Sequence, residues 1–342
     1  MQRLIIQIGA GGSIGNRAKA MKRRGLQRWF SPRRWRGISH APTLLPREGL
    51  ELQALLRIAL RDQNQFSLHL QPQFDLLSGD IVGAEALLRW IHPQRGEIPP
   101  GTFIPVAEAG GLITQIGDWV LKEACRIARI LWDNGWPICI AINLSALQLR
   151  KRNLVELVGE ALANKHLPPQ ALEIELTESC LIEDKDIASE TIARLSAMGV
   201  RTTIDDFGTG FSSLSYLCAL PVRAIKIDRS FVQQMEHSQK NERLVKGLIR
   251  LAHSLELSVL AEGVETATQM SLLRRYGCDA MQGWLASKAL PLPTLITYLK
   301  ENGLQGALAV EQEGELMSTM LKASLGLTRA SLEPPVSPDC AD

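Results

Sequence analysis

Short β-rich apolar runs alternate with longer amphipathic stretches through most of this chain, and that alternation leaves few folds open to it. Strand candidates fall at 66–76, 81–90, 138–144, 172–176, 201–205, 224–227, 259–261 and 280–285. Helix-period stretches lie between them at 113–134, 154–164, 187–198, 242–255 and 267–276, after an earlier one at Leu52, Leu55, Leu56, Ala59 and Leu60. Strand–helix alternation predicts an α/β protein with a mostly parallel sheet. Eight strand candidates over about 240 residues suit a TIM-like (β/α)8 barrel. Leu77-Ser78-Gly79-Asp80 separates the first two runs with hairpin chemistry, so the opening strand is expected to run antiparallel to the second.

The flanks differ from this centre. Residues 1–46 hold ten Lys/Arg and no Asp or Glu, while the remaining 296 hold 28 Lys/Arg against 36 Asp/Glu, a balance of −8. The reading is a flexible basic arm over 1–46, a barrel over 47–303, and a disordered tail over 304–342 that ends in Glu333-Pro334-Pro335-Val336-Ser337-Pro338. Gly9-Ala10-Gly11-Gly12-Ser13-Ile14-Gly15 has phosphate-loop composition. Only basic residues follow where a dinucleotide fold needs an acidic one, so it is assigned to the arm. The six cysteines form no C-x-x-C pair and most lie in apolar runs, as small core residues of a reducing compartment do. The histidines lack zinc-site spacing, no run approaches the roughly 20 apolar residues of a membrane span, and the start lacks a signal-peptide layout. Cytoplasm is the expected location.

Acidic and amide residues, with one lysine, interrupt the strand candidates near their C-terminal ends: Glu85, Asn143, Glu175, Asp205, Asp206, Lys226, Asp228, Glu262 and Gln282. In a parallel barrel those ends converge on the face that carries the active site. Several carboxylates at one mouth repel unless cations intervene. With no cysteine or histidine among them, the implied ions are hard ones, Mg²⁺ or Mn²⁺. Two such ions about 3.5–4 Å apart activate water and stabilise an in-line phosphoryl transition state. Consecutive Asp205-Asp206 suits a bridging and a terminal ligand, and Lys226 is placed to orient the water or offset phosphate charge.

Over roughly residues 50–300 the chain closely resembles the EAL domain family. Its naming motif appears as Glu85-Ala86-Leu87, within Gly83-Ala84-Glu85-Ala86-Leu87-Leu88-Arg89-Trp90. Asn143-Leu144-Ser145, Glu175-Leu176-Thr177-Glu178-Ser179 and Asp205-Asp206-Phe207-Gly208-Thr209-Gly210-Phe211 follow in order. Lys226-Ile227-Asp228-Arg229-Ser230-Phe231, Ala261-Glu262-Gly263-Val264-Glu265-Thr266 and Gln282-Gly283 complete the set. Part of the arm, Ala20–Pro32, loosely resembles the end of a GGDEF cyclase domain, which often precedes an EAL domain.

The resemblance implies a phosphodiesterase that opens cyclic di-GMP to linear pGpG. It implies that Glu85, Asn143, Glu175 and Asp205 hold one metal, and that Asp205 bridges to a second completed by Asp206 and Glu262. Lys226 would hold the catalytic water. Gln71, Arg89, Asp228 and Gln282 would meet substrate. Glu178 and Glu265 would hold the loop from 206 to 217, which in the family couples the metals to a homodimer interface. An unidentified regulatory protein is a further expected partner, and no DNA binding is expected of the barrel. Departures are Phe211 for a commoner tyrosine, and Ala286 and Ala289 where an aromatic residue and a proline are usual. A cyclic di-GMP receptor and an inactive interaction scaffold are the competing readings. Every metal-ligand candidate and Lys226 being present favours the enzyme.

Overall fold

A tight hairpin starts the barrel. Strands β1 (Phe66–Asp75) and β2 (Ile81–His92) pair antiparallel, with Gln71 opposite Glu85 and Phe66 opposite Trp90. The turn forms because Asp75 Oδ1 accepts the backbone N–H groups of Leu77 at 2.9 Å and Ser78 at 2.7 Å, an Asx-type turn. This computed structural model describes residues 46–62, 64–209 and 217–304. The expectations for the basic arm, for the tail and for Phe211 therefore fall outside the described residues.

From β2 the sheet continues in parallel through β4 (Cys139–Leu144), β5 (Leu172–Thr177), β6 (Arg201–Phe207), β7 (Ala224–Ile227), β8 (Ser258–Ala261) and β9 (Ala280–Met281). Pairing of β9 with β1, again antiparallel, closes an eight-stranded ring. The predicted irregular barrel, with one antiparallel strand, is the fold. Two short strands lie outside the ring: β3 (Gly96–Ile98) beside β2, and β10 (Leu290–Pro291) beside β1. The last ring strand is shorter than expected, ending at Met281 and not near residue 285. The chain turns there because the Gln282 carbonyl accepts the Val264 N–H and Leu285 N–H returns to the Val264 carbonyl. A Cβ at Gly283 would stand 2.1 Å from the Val264 carbonyl oxygen, so only glycine allows this approach.

Alternation along each strand separates two environments. Ile140, Ile142, Ile174, Leu176, Ile204, Ile225 and Val259 are buried beneath the outer helices, chiefly Ile113–Asp133, Lys185–Met198 and Gln239–Ser254. The opposite set turns inward and is polar: Asn143, Glu173, Glu175, Thr203, Asp205 and Lys226. A second apolar centre backs the hairpin, where Trp90 meets Phe103 edge-on at 5.5 Å between ring centroids. Phe103 belongs to helix Pro100–Ala109, which the periodicity reading missed because the helix is short and carries Pro105 inside it.

Candidate active site

Lys226 is 1% exposed and stands at the centre of the ring of inward residues. Its Nζ lies 2.7 Å from Glu262 Oε1, 2.9 Å from Glu175 Oε2, 3.3 Å from Glu85 Oε2 and 3.5 Å from Asp205 Oδ1. Four carboxylates from four strands or strand ends thus surround one ammonium, an excess of three formal negative charges. Amides complete the network. Asn143 Nδ2 donates to Glu85 Oε1 at 2.7 Å, and Gln282 Nε2 donates to Glu85 Oε2 at 2.6 Å and Glu262 Oε1 at 3.1 Å. Gln73 Nε2 in turn donates to Gln282 Oε1 at 3.1 Å, fixing which way that amide faces.

Neighbouring strand residues point to opposite faces, so Asp205 and Asp206 should diverge. Two features bring them together. Pairing of β6 with β7 shifts register between Ile204 and Phe207, and Asp206 adopts a left-handed φ of 54°. Aspartate tolerates that conformation better than most residues, and such bulges re-aim side chains beside functional sites. As a result Asp205, Asp206 and Glu262 each place a carboxylate oxygen within 4.8 Å of the others. The loop leaving this bulge is held at its start, where Glu178 Oε2 accepts the Gly208 N–H at 3.2 Å.

The charge surplus appears in the proton affinities. Burial pushes the Glu175 carboxyl well above the usual carboxylate range despite Lys226. Burial likewise lifts Glu262 to about 8, against the pull of Lys226, and Asp206 to about 6 with help from Asp205. Burial opposes the Glu85 charge too, but Lys226, Gln282 and Asn143 outweigh it and hold that pKa below the ordinary value. Burial works against the Lys226 charge, yet Glu175, Glu262, Glu85 and Asp205 keep its pKa well above that of a free lysine. Hard divalent cations would relieve the mutual repulsion. The residues fit such ions. The carboxylates and the Asn143 amide offer oxygen ligands, and Glu175 Oε1 is a buried acceptor with no hydrogen-bond partner.

The remaining expected residues lie around this centre. Gln71 Nε2 donates to the Ser287 carbonyl at 3.2 Å, tying the loop after Gln282 to β1. Arg89 lies 3.6 Å from Glu97 Oε1 on β3 and donates to the Leu88 carbonyl. Asp228 caps helix Arg229–Gln234 by accepting the Ser230 N–H at 3.0 Å. Glu265 accepts from Gln233 Nε2 of that same helix at 2.9 Å. Sequence reasoning missed Gln73, which joins a period-2 polar series only once β1 is known to line the barrel. The buried thiols are chemically quiet: burial pushes Cys125 and Cys278 up to about 12. A surface cleft of about 600 Å³ lies elsewhere, against helices Ile113–Asp133 and Leu154–Ala163. Its Asp118 and Glu123 are already paired with Lys151 and Arg126.

The structure is an eight-stranded α/β barrel whose mouth gathers carboxylates and amides around a buried lysine, a donor set that suits hard cations. The EAL domain profile matches residues 53–289, and the chain belongs to the EAL domain family. It is 46% identical over 252 residues to the bifunctional diguanylate cyclase/cyclic di-GMP phosphodiesterase MucR of Pseudomonas aeruginosa, covering 73% of this chain and 36% of that protein. It is 43% identical to the cyclic di-GMP phosphodiesterase NbdA of the same organism, covering 73% of this chain and 32% of that one. The chain thus spans about a third of the length of these curated relatives. Among solved structures, the MucR phosphodiesterase in complex with c-di-GMP shares 45% identity at a TM-score of 0.69, over 72% of this chain and 99% of that one. No helix among the described residues is long and apolar enough to cross a membrane.

Proposed function

We propose that this chain is a phosphodiesterase that hydrolyses cyclic di-GMP to linear pGpG. The observation that carries the reading is the cluster around Lys226: four contacting carboxylates, Asp206 beside them, and the unpartnered Glu175 Oε1. The names and ligands of the similar proteins supply the substrate. Glu85, Asn143, Glu175 and Asp205 would hold one ion, and Asp205, Asp206 and Glu262 would hold a second, each Mg²⁺ or Mn²⁺. Bound there, the ions would supply an activated water and offset charge on the phosphoryl oxygens. Lys226 keeps a proton and presents a fixed positive charge to the attacking oxygen and the phosphate. Gln282, held by Gln73, sets the orientation of Glu85 and Glu262. Arg89, Gln71 and Asp228 form the outer contacts to the dinucleotide, the guanidinium being matched to a phosphodiester oxygen.

Purified protein incubated with cyclic di-GMP and Mg²⁺ or Mn²⁺ should yield a single linear dinucleotide, one water heavier than the substrate, on chromatographic separation. Tight binding without product would instead select the receptor reading. Asp206 meets the other ligands through its bulge, and Glu178 holds the chain just after it by accepting the Gly208 N–H. A homodimer formed through the surface beside the loop from 206 to 217 would help to order it. Specific activity should then fall as the protein is diluted through its dissociation range, followed by sedimentation on the same series. A monomer with undiminished activity would rule this coupling out.

A further inference from the structure

Strand β1 is polar at every second position: Ser67, His69, Gln71 and Gln73. The intervening Phe66, Leu68, Leu70, Pro72 and Phe74 are buried. Alternation puts the polar series on the inner face of the barrel, and the contacts agree, since Gln73 reaches Gln282 and Gln71 stands opposite Glu85. Because β1 runs against the direction of the other ring strands, its beginning lies at the mouth, beyond the level of Glu85. There His69 pairs in register with Leu87, and Ser67 with Arg89.

Gln71 and Gln73 each donate a hydrogen bond inside the protein. His69 and Ser67 do not. The His69 ring enters no hydrogen bond or ion pair among the described residues, although it is half-buried and feels the charges of Arg89 and Glu97. Ser67 Oγ is buried and has no partner. Unmet polar groups on an inner face are costly unless water or a ligand completes them. Neither belongs to the metal-binding set, and neither was among the residues picked out from the sequence.

We propose that His69, with Ser67 beside it, binds the half of the substrate that is not cleaved, by donating to its second phosphodiester. The inference rests on the phosphodiesterase reading above. A cyclic dinucleotide carries two phosphodiesters in one ring. With one at the level of Lys226 and Glu85, the rest of the ring extends toward the mouth, where the inner face of β1 and β2 forms one wall. His69 is two residues along β1 from Gln71, about 7 Å nearer the mouth. Burial and the adjacent Arg89 push its pKa below that of free histidine, with Glu97 opposing. This favours the neutral ring, which offers one N–H donor and one acceptor. It supplies direction next to Arg89, where a second cation would be repelled.

The test compares His69→Ala and His69→Gln with the parent chain on two substrates. Cyclic di-GMP has the second phosphodiester, and bis(4-nitrophenyl) phosphate has only the scissile one. A contact made equally in ground and transition states changes KM and spares kcat. His69→Ala should raise KM for cyclic di-GMP about tenfold, with kcat within about twofold. Hydrolysis of the small diester should stay at the parent rate, and His69→Gln, which keeps a donor, should recover most of the KM. An unchanged KM for cyclic di-GMP in His69→Ala would overturn the inference. Equal losses on both substrates would overturn it as well, by showing that His69 acts on the fold or the metals. A parent protein that cleaves the small diester but not cyclic di-GMP would overturn the substrate reading itself, an outcome seen before any variant is made.

Discussion

Exhaustive chelation should reduce hydrolysis of cyclic di-GMP to background, and Mg²⁺ or Mn²⁺ should restore it fully. Lys226 offsets only one of the four carboxylates that it contacts, and Asp206 adds another negative charge beside them. Without cations, the raised pKa values of Glu175, Glu262 and Asp206 show these groups competing for protons when they should be ionised ligands. Ca²⁺ should bind without restoring turnover, because its larger and more flexible coordination sphere does not fix an oxygen nucleophile in line. A readout independent of activity comes from thermal unfolding. Metal at about 100 times its dissociation constant stabilises the folded state by roughly 2.7 kcal/mol, so the parent melts higher with Mg²⁺ than without it. Glu85→Ala should lose both the activity and that stabilisation. Undiminished turnover after chelation, confirmed by metal analysis, would remove the metal-centre model altogether.

Much of this site was legible because it breaks the expected composition of a barrel. Apolar β-runs announce strands, and a glutamate or lysine inside one has to face something other than lipid-like core. Position at the strand ends then put Glu85, Asn143, Glu175, Asp205, Lys226 and Glu262 at one mouth, and the structure brings them into one network. The joint use of Asp205 and Asp206 was harder to read. Simple alternation separates consecutive residues, and only the register shift and the left-handed φ of Asp206 reunite them. Neither leaves a mark beyond the Asp-Asp pair itself. Gln73 was missed because one glutamine among Pro72 and Phe74 carries no signal until its strand is known to line the barrel. The partner of Arg89 was missed because β3 is three residues long, too short for periodicity. Glu265 was expected at the loop from 206 to 217, most of which lies outside the described residues, and its hydrogen bond among the described residues goes to Gln233 on the helix after β7.

Replacing Lys226 by alanine should lower kcat by about 10²–10³-fold in saturating Mg²⁺, the range found when one preorganised donor to a developing charge is removed. Cyclic di-GMP should still bind, because the metals, Arg89 and the inner face of β1 remain. The fall therefore belongs in kcat more than in KM. Stability should respond in a way that a purely local role would not produce. Lys226 is the buried cation within reach of Glu85, Glu175, Asp205 and Glu262. Removing one partner of a buried charge cluster costs about 3–5 kcal/mol, since the other partner is left uncompensated. Metal-free Lys226→Ala should accordingly melt well below the metal-free parent. Divalent ions would take over the lost neutralisation, so Mg²⁺ should raise the melting temperature of the variant by more than that of the parent. Lys226→Ala with parental kcat in Mg²⁺ would end the assignment of a transition-state role to this lysine. Equal metal-induced shifts in the two proteins would show that its charge is not coupled to the ions.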